Sequence, residues 1–153
     1  MDGQRYLAFA RMNMFLHDEP SAEIWKGNTL TSPHWRNPDG GLKTFDFAVA
    51  NPPFSTKSWS NGLDPQHDEF GRFEMGVPPA KNGDYAFLLH IVNSLKSTGT
   101  GAVILPRGVL YRGHAEALIP RAAATPLVRP RSAILRSGRR YAARGLWCAT
   151  SWR

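Results

Sequence analysis

The chain has 153 residues, enough for one domain with a real core, and its 42% hydrophobic and 20% charged content excludes a wholly disordered chain. No apolar run approaches the roughly 18 residues that a spanning helix needs, and Met1 to Arg11 lacks the pattern of a signal peptide, so a cytoplasmic protein without membrane contact is expected. The net charge of +7 invites a nucleic-acid partner, yet residues 1–113 carry eleven basic and eleven acidic side chains, and the whole excess sits in residues 114–153.

Gln4 to Leu16 reads as a helix, with Tyr6, Leu7, Phe9, Ala10 and Met14 on one broad apolar face. Asp18, Glu19 and Pro20 end it. Ala22 to Lys26 is a short candidate strand stopped by Gly27-Asn28, and residues 31–43, rich in Ser, Pro, Asn, Asp and Gly, form a loop. Phe45 to Ala50 is a mostly apolar run whose length suits a strand buried on both faces of a parallel sheet. A long stretch without periodicity follows, residues 51–83, and loops of that length tend to be functional.

The clearest helix comes next. Asp84 is its expected N-cap, and Tyr85, Leu88, Leu89, Val92 and Leu95 recur at helical spacing. Lys96 suits the last turn and Gly99 the stop. Gly101 to Leu105 reads as a second buried strand, with a loop from Pro106-Arg107-Gly108. Strand, loop, helix, strand is the grammar of a crossover in an α/β sheet. Beyond Gly113 Arg, Ala and Pro dominate and acids nearly vanish; residues 114–153 read as coding out of frame, or as a disordered basic tail. Cys148 stands alone and the five histidines are scattered, so neither a disulfide nor a metal site is expected.

Asn51-Pro52-Pro53-Phe54 sits at the carboxyl end of the first strand, where open α/β sheets bind ligands. Asn51 and Pro52 each precede a proline and are pushed to extended conformations, while the two prolines fix their own φ and donate no N–H. The result is a stiff corner that shows two acceptors, the Asn51 side-chain oxygen and the Pro52 carbonyl, beside the flat ring of Phe54. Two acceptors beside a ring suit the exocyclic amine of a planar base. Holding its hydrogens favours a more tetrahedral nitrogen with its lone pair forward, which is preorganisation toward the transition state of transfer to that nitrogen. A structural Pro-Pro turn is the competing reading, but a match of this kind arises by chance in roughly 1% of chains this long, with proline near 5% of residues.

Phe-Asp-Phe-Ala-Val-Ala-Asn-Pro-Pro-Phe-Ser (residues 45–55) resembles the catalytic motif of the methyltransferase (M) subunit of type I restriction-modification systems, an N6-adenine DNA methyltransferase family. Residues 10–16, the Gly27-Asn28-Thr29-Leu30 turn, residues 83–90 and residues 101–108 are similar to further segments of that family, so the resemblance covers about residues 3–118. It implies an α/β fold, a partial class I (Rossmann-like) sheet with flanking helices, with S-adenosylmethionine as methyl donor. It implies DNA as substrate and specificity and restriction subunits as partners. By the same resemblance Asn51, Pro52 and Phe54 are catalytic, Asn28 and Asn51 bind the cofactor, and Pro53 and Phe54 contact the substrate base.

The family has Asp where this chain has Asn28, which can accept a hydrogen bond from the cofactor's adenine amine but lacks the charge that strengthens one. Neither a glycine-rich cofactor loop nor the later strands with a second aromatic can be found, so a truncated methylase domain over residues 1–113, inactive alone, is expected. Two other classes compete: a methyltransferase of this fold acting on protein glutamine or RNA, and a non-enzymatic basic module that binds nucleic acid. His90 reads as structural. Asp46 could orient the loop or pair with a backbone group, Arg107 and Arg112 could touch DNA phosphate or be solvated, and Trp59, Phe70 and Phe73 are expected to pack the long loop down rather than meet DNA.

Overall fold

The computed structural model describes residues 3–110. Helix α1 spans Gly3–Leu16, strand β1 Phe45–Ala50, helix α2 Asp84–Asn93 and strand β2 Leu95–Val103, and a short 3-10 turn covers Arg107–Leu110. Strands β1 and β2 pair in parallel through the α2 crossover, the α/β arrangement expected from the sequence. The readings on Arg112, Cys148 and residues 114–153 lie outside the described residues.

Three elements depart from expectation. Ala22 to Lys26 forms no strand. A strand needs a partner ladder, and this segment instead stacks Trp25 on His34 (centroids 3.8 Å apart) and takes a hydrogen bond from Trp35 Nε1 to Glu23. Helix α2 is shorter than its apolar spacing suggests. The Ser94 hydroxyl donates to the His90 carbonyl (2.8 Å) and Asn93 Nδ2 to that of Leu89 (2.9 Å), so an Asn-Ser pair satisfies the last carbonyls and the chain turns into β2 at once. Gly99 therefore lies inside β2, which runs from Leu95 to Val103 with no fully buried residue rather than as a buried strand from Gly101 to Leu105, and not at a helix stop. Between Phe45↔Leu95 and Phe47↔Thr100 the register slips, and a Cβ on Gly99 would stand 2.8 Å from the Phe45 carbonyl oxygen. Glycine lets the bulged strand approach that closely.

The third departure concerns β1. Ala48 and Ala50 are buried against Ile91 of α2, but Phe47 and Val49 on the opposite face are exposed. One face of the sheet is covered among the described residues, not two. The larger core lies on the other side of α2. There Tyr85, Ala86, Phe87 and Leu89 meet Leu30, Trp59, Phe73 and Val109, so the helix packs chiefly against the long loop. Tyr85 anchors this side by donating its hydroxyl to the Val109 carbonyl at 2.8 Å. Among the described residues of α1 Met14 alone is buried, and Phe9, Phe15 and Leu16 are exposed.

Candidate functional site

The candidate corner begins where the β ladder ends. The Ile104 N–H donates to the Ala50 carbonyl at 3.0 Å, and the chain then enters Asn51-Pro52-Pro53. Two successive residues without an N–H cannot continue a ladder. Pro52 is buried and Pro53 half-buried, whereas Asn51 is exposed and Phe54 is 53% exposed. Among the described residues no hydrogen bond engages the Asn51 carboxamide or the Pro52 carbonyl. Neither expected acceptor is therefore engaged among the described residues; the Asn51 side chain is exposed, the Pro52 carbonyl belongs to a buried residue, and the Phe54 ring is accessible. The Pro53 carbonyl differs: it accepts the Thr56 hydroxyl at 3.2 Å.

The end of the corner is fixed from α2. Ser55 has φ +52, in the left-handed region that costs a non-glycine residue about 1–3 kcal/mol. Its N–H donates to Asp84 Oδ1 at 2.7 Å, and Asp84 is 1% exposed. A hydrogen bond to a charged group contributes about 1.5–3 kcal/mol, enough to offset the strain. Beside it the Gly83 N–H donates to the Thr56 carbonyl at 3.0 Å. Asp84 is therefore not the N-cap. Gly83 holds that position, and the Asp84 carboxylate in the first turn reaches across to the corner. Gly83 is confined as well, since a Cβ there would come 2.7 Å from the Trp59 Cβ.

A buried ionic cluster ties the rest of the long loop to α2. Arg72 has no solvent exposure. Its Nε and Nη2 donate to the two Asp68 oxygens, and Nη1 lies 3.2 Å from His90 Nδ1. A guanidinium only donates, so His90 Nδ1 accepts and the ring is neutral. Burial first, then the positive charge of Arg72, lowers the His90 pKa from 6.5 to about 4. Burial pushes the Asp68 carboxyl up, but the hydrogen bonds and charge of Arg72 outweigh it and hold the group below its ordinary value. Two guanidinium groups approach the Phe70 ring, Arg36 at 4.8 Å and Arg72 at 4.9 Å, and Arg36 pairs with Glu69 at 3.2 Å. His90 is thus structural, as expected. Trp59 (3% exposed) and Phe73 (4%) pack the loop down, and Trp59 Nε1 donates to the Pro79 carbonyl.

Asn28 lies in the turn that leads to Leu30. It is exposed, and its side-chain oxygen accepts from the N–H groups of Leu30 (3.0 Å) and Thr31 (3.3 Å). That oxygen is engaged in its own turn, while the Asn28 NH₂ makes no hydrogen bond among the described residues. Among the described residues Asp46 makes no hydrogen bond to backbone. It pairs with Lys96 at 2.8 Å on an exposed surface, an interaction worth about 1 kcal/mol at most. Arg107 is exposed. One cleft is lined by Trp25, His34, Trp35, Lys43, Phe45 and His90, and another by Arg11, Met12, Met14, Phe15 and Ile24; the corner borders neither.

Sequence reasoning missed Arg72, Asp68 and the reach of Asp84 to Ser55. A signal existed for the first two: Asp and Arg four residues apart, with Phe70 and Phe73 around the arginine. None existed for the third, which joins positions 29 apart.

Comparison with known proteins gives a consistent answer. A model of the N-6 DNA Methylase family matches residues 3–125. The MpnII type I restriction enzyme methylase subunit of Mycoplasma pneumoniae is 33% identical over 120 residues, covering 71% of this chain and 21% of that protein. The EcoKI methylase subunit of Escherichia coli is 32% identical over 117 residues, 72% of this chain and 19% of that one. The crystal structure of a type I restriction-modification methyltransferase subunit from Streptococcus thermophilus superposes with a TM-score of 0.61 at 35% identity, over 74% of this chain and 24% of that one. The chain spans about a fifth of the length of the curated relatives it matches.

Proposed function

Because the chain belongs to the N-6 DNA Methylase family, we propose that Asn51–Phe54 is the corner that receives the exocyclic amine of adenine for methylation at N6. One observation supports this above the others. At the carboxyl end of β1, an amide side chain and a proline carbonyl carry no intramolecular hydrogen bond among the described residues, and the half-exposed Phe54 follows them in the chain. The lone pair of an aromatic amine is delocalised into its ring. Two fixed acceptors, Asn51 and the Pro52 carbonyl, draw its hydrogens and favour the pyramidal nitrogen that must attack a methyl group. Phe54, with Pro53 beside it, faces the flipped base. Stacking there contributes roughly 1–3 kcal/mol, which offsets part of the cost of taking a base out of the duplex.

S-adenosylmethionine is the methyl donor this reading implies, and it would supply the transferred methyl group. The two residues expected to hold it fit unequally. The Asn51 carboxamide is open, whereas Asn28 presents a donor and suits a ring nitrogen of the cofactor's adenine rather than its amine. In this reading residues 1–113 are the methylase part of a type I M subunit and residues 114–153 a basic tail. The substrate is DNA, the partners are specificity and restriction subunits, and the setting is the cytoplasm. Among the described residues no helix is long and apolar enough to cross a membrane.

Grafting tests the proposal. Residues 3–125 replace the matching segment of an active type I methylase subunit, and the chimera is assayed with methyl-labelled S-adenosylmethionine and adenine-containing DNA. Label in N6-methyladenine is expected. Label on glutamine of a protein substrate or on RNA, with none on DNA adenine, would overturn it.

A further inference from the structure

We infer that Asp84 is the positioning residue of the Asn51–Phe54 corner: its buried carboxylate holds the Ser55 N–H and so sets the backbone turn on which the two acceptors are presented. The functional half of this inference rests on the amine-binding reading above. The geometric half does not.

Asp84 reaches the corner through its hydrogen bond to Ser55, the next residue in the chain after Phe54. Three contacts converge on that turn: Ser55 N–H to Asp84 Oδ1 at 2.7 Å, Gly83 N–H to the Thr56 carbonyl at 3.0 Å, and the Thr56 hydroxyl to the Pro53 carbonyl at 3.2 Å. Only the first involves a charged group, and only it bears directly on the residue with positive φ. The prolines make Asn51 to Pro53 stiff but leave the direction in which the chain departs undetermined. Ser55 is where that freedom ends. A carboxylate at 1% exposure, carried on a helix that is itself buried, is a rigid point to anchor it. Preorganised acceptors require support of this kind, because acceptors that must first be arranged lose their advantage in the transition state.

The test uses the full chain with Asp84→Ala and Asp84→Asn, and reads two quantities. One is the hydrogen-exchange rate of the Ser55 amide by NMR. The other is the affinity for a single-stranded oligonucleotide carrying one adenine, relative to the same strand carrying purine, which lacks the exocyclic amine. Asp84→Ala is expected to speed Ser55 exchange by at least about tenfold and to abolish the preference for adenine. Asp84→Asn keeps an oxygen at the same place, and it is expected to retain part of both; it also carries the test if the alanine variant fails to fold. Unchanged Ser55 exchange in both variants would overturn the inference. Fast exchange with the adenine preference intact would also overturn it, since the turn would then not govern the corner. Should the parent chain bind adenine and purine equally while Asp84→Ala still frees Ser55, the positioning by Asp84 stands and the amine-binding reading falls.

Discussion

His90 shows how one side chain can hold a loop by staying neutral. Its Nδ1 accepts from a fully buried arginine, and protonation would set two cations against each other with little water to screen them. The folded state therefore holds the histidine pKa near 4, while the unfolded chain returns it to 6.5. Between those values the unfolded state binds the extra proton. The stabilisation is complete above pH 6.5 and is lost progressively as pH falls to about 4. It amounts to about 3 kcal/mol at most. Urea unfolding at pH 7 and pH 4.5 should show the loss, and His90→Gln should flatten most of it. A parent chain equally stable at both pH values would refute the neutral assignment.

Single residues were legible in the sequence where local covalent geometry decides them. Asn-Pro-Pro-Phe after an apolar run announces a stiff corner at a strand end, and the structure has that corner at the end of β1. His90 among apolar neighbours on a helix is likewise structural. Asn28 was harder. An Asn before Thr-Leu-Thr can offer its oxygen to a ligand or to its own turn, and its composition is the same in both cases. The backbone N–H groups of Leu30 and Thr31 win because they are already in place.

At the level of elements, the fold is held as much by irregular chain as by regular structure. The long loop between β1 and α2 stays down because Asp68 and Arg72 are buried together, with side-chain exposures of 2% and 0%. Removing one charge from such a pair leaves the other uncompensated. Asp68→Asn is expected to cost about 3–5 kcal/mol and to loosen the loop before the sheet. Hydrogen exchange of residues 64–76 against residues 45–50 measures this, and equal protection in mutant and parent would contradict it. The helices and strands themselves were readable from periodicity, and so were the ends of α1 and β1, but the end of α2 and both ends of β2 were not. α2 stops at Asn93 because Asn93 and Ser94 satisfy its last carbonyls, and Gly99 serves a close approach to Phe45. Both effects depend on where a partner lies, which spacing alone does not encode. The apolar content of both β1 faces was equally plain. Whether each face is covered depends on elements elsewhere, and here Phe47 and Val49 remain exposed.

For the whole molecule, a parallel β-α-β unit places Asn51 at the carboxyl end of a strand, and the crossover helix supplies the carboxylate behind it. Strand, corner and helix thus form one mechanical unit, and its resemblance to type I methylase subunits extends over most of the chain. The proposed role of this unit is to grip an amine. The direct measurement is the rate of adenine methylation by the grafted methylase with Asn51→Ala. Loss of one preorganised acceptor should lower the rate by about 100-fold or more, while leaving folding intact because the Asn51 side chain is exposed and makes no hydrogen bond among the described residues. An unchanged rate in a folded chimera would contradict the account.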